Sequence, residues 1–402
     1  MVTTYILLLF FEGIFRKWIP ITTTDFFYIL RDALIILAIC FRLIRTRGPN
    51  SLGVKILNLL FATLILLAGI QFFFVSNPGS VFILGLKNYF APLLLLYYLL
   101  ISESLDKFLR VLFRWVPSLI ILETIICVTQ ALSPRSAFLN LTPTGSNAFL
   151  TSGLQVRPAG TFTSSLGFSL FLCFIYSYSL TVFRNWSSKK SFFLFSCIFL
   201  DIAISGTRTV PLNILFITLM YFFFLARGRN AIKFFTAAML TIFLIYLAIR
   251  LTALIEVWDA FQLRLNSQTE GTTGTVSRIW QPILGLKLSD MSFLGNGIGM
   301  HHASAFPYIG SGSWIEVESF RWVSELGLMG LLLYGMRIVI PSAIIIRAIL
   351  NSNFNASHFM LAGLFPFLVF SGITTQPTVQ GFAGMFICTS LALRFTNLKQ
   401  GS

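Results

Sequence analysis

The sequence predicts an all-α, polytopic integral membrane protein with about 12 transmembrane helices and a large outer loop, and three observations carry that expectation. Hydrophobic residues fill 56% of the 402 positions and charged residues 11%, with a mean hydropathy of +0.83. Apolar runs long enough for a membrane helix, about 20 residues, recur from one end of the chain to the other. The 29 Lys and Arg are spread unevenly over the connections between those runs. Soluble domains of this length do not have the first property, and the last one orients the runs.

The spans fall at 1–15, 26–41, 56–75, 80–101, 113–132, 162–183, 191–206, 209–226, 233–253, 326–346, 358–373 and 377–393. The first continues into the body of the chain and has no small-residue cleavage site, so it reads as a membrane helix and not as a leader. The connections 42–55, 102–114, 184–190 and 227–233, the stretch after Arg347, and the tail with Arg394 and Lys399 hold 16 of the 29 basic residues. Two acids accompany them, Glu103 and Asp106. By the positive-inside rule these connections and both termini face the cytoplasm. That surplus is almost the whole formal charge of +15, so the basic balance is a topology signal and nucleic acid is not an expected partner.

The long connections 133–161 and 254–325 then lie on the outer side, the second as a partly ordered cap within a single 1–402 transmembrane domain. Part of "VSRIWQPILGLKLSDMSFLGNGIGM" (276–300) mixes apolar Ile279, Ile283 and Leu286 with Arg278, Lys287 and Asp290, the pattern of an interfacial helix. Glycines 295, 297 and 299 form G-x-G-x-G with no strand before it, which predicts a tight bend and rejects a nucleotide fold. The five cysteines (Cys40, Cys127, Cys173, Cys197, Cys388) sit in apolar runs without CxxC spacing and read as buried small residues, with neither a disulfide nor a metal site.

Cations on the outer side run against the insertion rule: Arg16, Lys17, Lys87, Arg157, Arg208, Arg250, Arg264, Arg278 and Arg321. Arg208 is the sharpest case, held in "SGTRTVP" (205–211), a short turn between two spans. Two readings stand. Asp201, seven residues back, could neutralise it locally, or several arginines could converge on an anionic ligand. Guanidinium suits a phosphate because its planar fork gives two parallel bonds and it keeps its charge. Glu123 in "LIILETIICV" and Asp32 beside Arg31 are costly in lipid and line a polar cavity or join helices. Trp280, Trp314 and Trp322 are candidates for stacking on sugar faces or for interfacial anchoring.

Five blocks, in order, resemble the O-antigen polymerase and O-antigen ligase superfamily: "EGIFRKWI" (12–19), "RPAGTF" (157–162), "ISGTRT" (204–209), "SRIWQPI…LGNGIG" (277–299) and "ESFRWVSELGLMG" (318–330). The resemblance implies a metal-independent, cofactor-free inverting glycosyltransferase of a bacterial inner membrane, with its active site on the periplasmic face. The donor would be an undecaprenyl-diphosphate-linked glycan. The acceptor would be a hydroxyl on another lipid-linked glycan, for a polymerase, or on a lipid A core, for a ligase. A chain-length regulator protein is a further candidate partner. Arginines corresponding to Arg208 and Arg278 would hold the diphosphate leaving group, and Arg157 would line the site. The chemistry agrees: negative charge builds on the leaving oxygen, the outer acids lack a DxD pair for a metal, and fixed arginines can take that role.

The general base is where the chain departs from the ligases. Their H-N or H-S pair falls here on Glu316 and Val317. Glu318 and Arg321 follow in E-x-x-R spacing, one helical face, so Glu318 is a candidate base or a partner of Arg321; His301 and His302 are the alternatives. The expected catalytic residues are therefore Glu318, Arg278 and Arg208, and the expected substrate-binding residues Arg157, Arg321, Glu316, His301 and Trp280. The departure favours a polymerase over a ligase. A flippase for an anionic glycolipid is the alternative from another class, and would need a charged path to both faces. A non-catalytic membrane scaffold would leave the outer arginines unexplained.

Overall fold

The computed structural model describes residues 2–19, 24–45, 52–75, 78–101, 105–142, 156–182, 189–207, 209–224, 292–301, 318–350 and 358–364, with Asp259, Ile309 and Ile315. Among these residues every extended element is helical. In chain order they are α1 (Val2–Trp18), α2 (Thr24–Arg45), α3 (Leu52–Phe74), α4 (Gly79–Ile101), α5 (Leu105–Leu132), α6 (Ser165–Val182), α7 (Lys189–Ile204), α8 (Thr209–Phe224), α9 (Glu318–Leu326) and α10 (Leu328–Leu350). A 3-10 turn covers Phe138–Asn140, and residues 358–364 are helical.

The spans expected from 1–15 through 209–226, and that at 326–346, coincide with described helices. Those at 233–253 and 377–393, most of 358–373, and most of the 254–325 connection lie outside the described residues. Two boundaries differ from expectation. Helix α5 starts at Leu105 and draws most of the basic connection 102–114 into the helix. Near the far end, Gly327 adopts φ +60 and separates α9 from α10, a helix stop that the apolar run of 326–346 conceals.

Four helices among the described residues are long and apolar enough to cross a membrane: Leu57–Phe74, Gly79–Ile101, Arg114–Leu132 and Leu328–Leu350. Their outward faces are apolar. Phe73 and Phe74, at the end of α3, are 81% and 80% exposed, which suits hydrocarbon and not water. The internal Pro117 of α5 and Pro341 of α10 are of a kind tolerated in membrane helices, where neighbours satisfy the freed carbonyl. Cys127, Cys173 and Cys197 are buried, as expected; Cys40 is exposed on an outer face of α2, and Cys388 lies outside the described residues.

The chain divides into two compact, interleaved units. The first contains 1–34, 104–272 and 354–367. Here α5 packs on α7 and on α1, and α6 packs on α7 and α8. Polar cross-links punctuate these apolar contacts: Thr124 Oγ1 donates to Asp201 Oδ2 (2.8 Å) between α5 and α7. Tyr176 and Thr218 hydroxyls meet at 2.7 Å between α6 and α8. Asn213 Nδ2 of α8 donates to the Gly363 carbonyl (3.2 Å).

The second unit contains 35–103, 273–353 and 368–402. Its core gathers Leu60, Leu64 and Ala68 of α3, Phe82 and Tyr89 of α4, Ile298 of the 292–301 segment, Leu326 of α9 and Leu333 of α10. Trp322 of α9 packs edge-on against Tyr89, with ring centroids 5.2 Å apart.

Candidate functional site

In the first unit the turn 157–162, "RPAGTF", is clamped from three sides. Gly160 takes φ +57, which a side chain would strain, and a Cβ there would strike the Glu123 carboxylate. Glu123 Oε2 accepts the Thr161 backbone N–H at 3.0 Å, and its Oε1 accepts the Thr161 hydroxyl. Gln130, two helical turns further along α5, closes the other side. Its Oε1 accepts the N–H groups of Ala159 (3.0 Å) and Gly160 (2.9 Å), and its Nε2 donates to the Leu139 carbonyl (2.8 Å). The third contact is Lys17, at the end of α1, whose Nζ donates to the Gly160 carbonyl at 2.7 Å. All three side chains are buried, and each spends its polarity on backbone groups that hydrocarbon would leave unsatisfied.

Helix α1 reaches this turn because Gly13 has no side chain. A Cβ on Gly13 would land on the backbone of Thr161, Phe162 and Thr163. Gly13→Ala is therefore expected to cost about 1–3 kcal/mol through overpacking. The check is thermal unfolding of the detergent-solubilised protein; a wild-type midpoint would mean that α1 does not pack this closely.

The clamp presents Arg157. Its Nη2 donates to Thr207 Oγ1 at 3.2 Å, and Thr207 also meets Ser169 Oγ of α6 at 3.3 Å. Two of the sequence blocks, "RPAGTF" and "ISGTRT", are thus joined by a side-chain hydrogen bond across 50 residues. A small cleft with about 20 Å³ of free space, water-sized, lies against this turn. Lys17, Gln130, Asn140, Arg157, Thr163 and Ser164 supply its polar lining. Two cations from distant parts of the chain therefore line one small polar cleft.

The second unit holds a different polar centre around Glu325, which is buried on α9. Its Oε2 accepts the Gly299 N–H (2.9 Å) and the Tyr89 hydroxyl (2.8 Å), and its Oε1 accepts the His301 N–H (2.9 Å). Gln71 of α3 completes the cradle. Its Oε1 accepts the Ile298 N–H (3.0 Å), while its Nε2 donates to the carbonyls of Glu325 (2.8 Å) and Leu294. The G-x-G-x-G segment is the tight bend the sequence predicts. Gly299, at φ +86, lies so close to α4 that a Cβ would meet the backbone of Val81 and Gly85.

The expected site residues are distributed as follows. Arg157 lines the cleft of the first unit. In the second unit Arg321 is buried on α9, and partly buried His301 directly follows the glycine bend, its carbonyl accepting the Ile315 N–H at 3.2 Å. Arg208, Arg278, Trp280 and Glu316 lie outside the described residues, as do His302 and Trp314; of Glu318 the helical backbone alone is described, as the first residue of α9. Asp201, the alternative partner for Arg208, is engaged by Thr124. Glu123 proves to be a clamp from helix to turn. Trp322 is packed among Tyr89 and Tyr334.

Sequence reasoning passed over Gln71, Tyr89, Gln130, Thr207 and Glu325, and counted Lys17 among the outer cations without assigning it a site. Signals existed for some of them. Gln71 in "AGIQFFF" and Gln130 in "CVTQAL" are lone amides in apolar helices, and Glu325 lies seven residues after Glu318 on the same helical face.

Neither a family model nor a curated protein matches the chain. Fold and site alone therefore define its class: a protein helical among the described residues, with helices long and apolar enough to cross a membrane and a buried-lysine, half-buried-arginine cleft beside a clamped turn.

Proposed function

We propose that the protein is a membrane-embedded glycosyltransferase of the polymerase type, acting at the periplasmic face of a bacterial inner membrane. Its donor is an undecaprenyl-diphosphate-linked glycan, and its acceptor is a hydroxyl of another lipid-linked glycan. The observation that supports this best is the Arg157–Thr207 hydrogen bond. It brings the turn carrying one expected cation to Thr207, the residue that precedes Arg208 in the chain.

The reaction needs three things from the protein. The acceptor oxygen attacks the anomeric carbon, the carbon–oxygen bond to the diphosphate breaks, and its electron pair leaves on the diphosphate. Arg208, Arg278 and Arg157 are assigned to that growing charge, where preorganised donors in a partly dry site are most effective. The hydroxyl proton passes to a base, assigned to Glu318 with His301 as the alternative; Glu316, Arg321 and Trp280 are assigned to the bound sugars.

Two experiments test this reading. Deleting the gene and resolving surface glycans by gel separates the outcomes. Loss of long chains with single units retained supports the polymerase. Loss of all core-attached glycan, with carrier-linked polymer accumulating, indicates a ligase. An unchanged ladder with carrier lipid accumulating inside indicates a flippase. Side by side, Glu318→Gln is expected to reduce polymer formation by about 10²–10⁴-fold, and His301→Ala to leave most of it. The reverse result moves the base to His301.

A further inference from the structure

We propose that Asp201 is a buried proton-binding site: its carboxyl is held as the neutral acid in the core of the first unit, and the bound proton closes the bridge between α7 and α5. Neither Asp201 nor its partner Thr124 lines the cleft at the 157–162 turn, and the site stands whether or not the protein is a transferase.

Thr124 decides where the proton is. Its Oγ1 lies 2.8 Å from Asp201 Oδ2 and 2.9 Å from the Ile120 carbonyl, one turn back on α5. A hydroxyl has one proton to give, and a carbonyl oxygen has none. With Asp201 ionised, Thr124 donates to the carboxylate, and its hydroxyl has no proton left for Ile120. With Asp201 protonated, the acid donates through Oδ2 to Thr124, Thr124 donates to Ile120, and both contacts are hydrogen bonds. The second arrangement is the habit of this chain's own helices. Thr129, Ser169, Ser196, Thr218 and Ser342 each donate to the carbonyl four residues back, at 2.7–3.0 Å.

Charge leads to the same arrangement. Asp201 is 1% exposed, and its Oδ1 has no hydrogen-bond partner. A carboxylate shares its charge between both oxygens, so a bare one is costly in a buried place; the neutral acid leaves idle a carbonyl oxygen, a smaller loss. Glu123 and Cys127 of α5 face Asp201, and Cys197 stands one turn back on α7. On α6 the phenol of Tyr176 packs edge-on against Phe195 and Phe199 of α7, with its hydroxyl on Thr218. Lys17 acts on Glu123. Among these described groups one ammonium therefore accompanies two carboxyls, and a proton makes up the difference. A metal ion in its place needs several ligands, and among the described residues no group of three or more His, Cys, Asp or Glu is placed to hold one. A neutral Asp201 is no counter-ion, so the charge of Arg208, seven residues on, stays available to an anion.

Infrared spectroscopy of the full-length protein in lipid nanodiscs at neutral pH reads the proton directly. Wild type is expected to show the carbonyl stretch of a protonated carboxylic acid, and Asp201→Asn to lose that band. Asparagine has the shape of the neutral acid and keeps a donor for Thr124, so the thermal unfolding midpoint of this variant is expected to stay close to wild type. Asp201→Ala, with no donor and an unfilled space, is expected to unfold at a lower temperature. A wild-type spectrum without the band, a band that survives in Asp201→Asn, or an asparagine variant that loses as much stability as the alanine one overturns the proposal.

Discussion

Arg208→Ala and Arg278→Ala are each expected to lower polymer formation by about 10²–10³-fold, the usual cost of removing one fixed donor from a developing oxyanion. The effect is this large because the charge appears only as the sugar–diphosphate bond breaks, so a residue aimed at it acts on the transition state more than on the bound ground state. Arg208 follows Thr207 in the chain, and Thr207 is held by Arg157 and by Ser169. Protein abundance in membranes is expected to match wild type, and the measurement pairs an immunoblot with the glycan gel. Wild-type chain lengths in either variant remove that arginine from the mechanism. Loss of protein together with polymer assigns the residue to folding instead.

Glu325→Ala is expected to act on stability, and strongly. Its carboxylate is the acceptor for three donors, the N–H groups of Gly299 and His301 and the Tyr89 hydroxyl, in a buried pocket. Each buried donor left without an acceptor costs about 1–3 kcal/mol, so the summed loss is on the order of 3 kcal/mol or more. Such a loss is a large share of the stability of a marginal structure. Glu325→Gln keeps one oxygen as acceptor and is expected to fall between alanine and wild type. The check is thermal unfolding in detergent, with hydrogen exchange followed over 292–301. The G-x-G-x-G segment is expected to exchange faster in the alanine variant while residues of the first unit keep their protection. A wild-type unfolding midpoint for Glu325→Ala would show that water or another group replaces the carboxylate.

Helix class and helix positions were legible in the chain because hydropathy is a local property. An apolar run such as 56–75 announces a helix whatever lies beside it, and α3 follows at Leu52–Phe74. The early start of α5 and the break at Gly327 were less legible. The first falls in a basic stretch that hydropathy marks as a connection, and the second on a single backbone conformation with φ +60 inside an apolar run. Arg157 was legible as a candidate because a cation beside a span is expensive on the outer side. Its partner was not: nothing in "ISGTRT" marks Thr207, rather than its neighbours, as the acceptor of that guanidinium. Glu325 was overlooked in favour of Glu318 and Glu316, because all three sit in one stretch and the burial that sets Glu325 apart comes from α3 and α4.

By itself the sequence determined the helical class, the apolar helices fit for a bilayer, and the polar residues whose presence in such surroundings asks for a reason. Composition, hydropathy period and charge count reside in single segments, where no partner is needed to read them. Only the tertiary structure decided which of those residues meet. Lys17 reaches Gly160 across 143 positions and Gln71 reaches Glu325 across 254, and contacts at that separation depend on how whole helices pack. The cleft and the Glu325 cradle are products of that packing, because a buried donor or acceptor must find whichever partner the fold brings near.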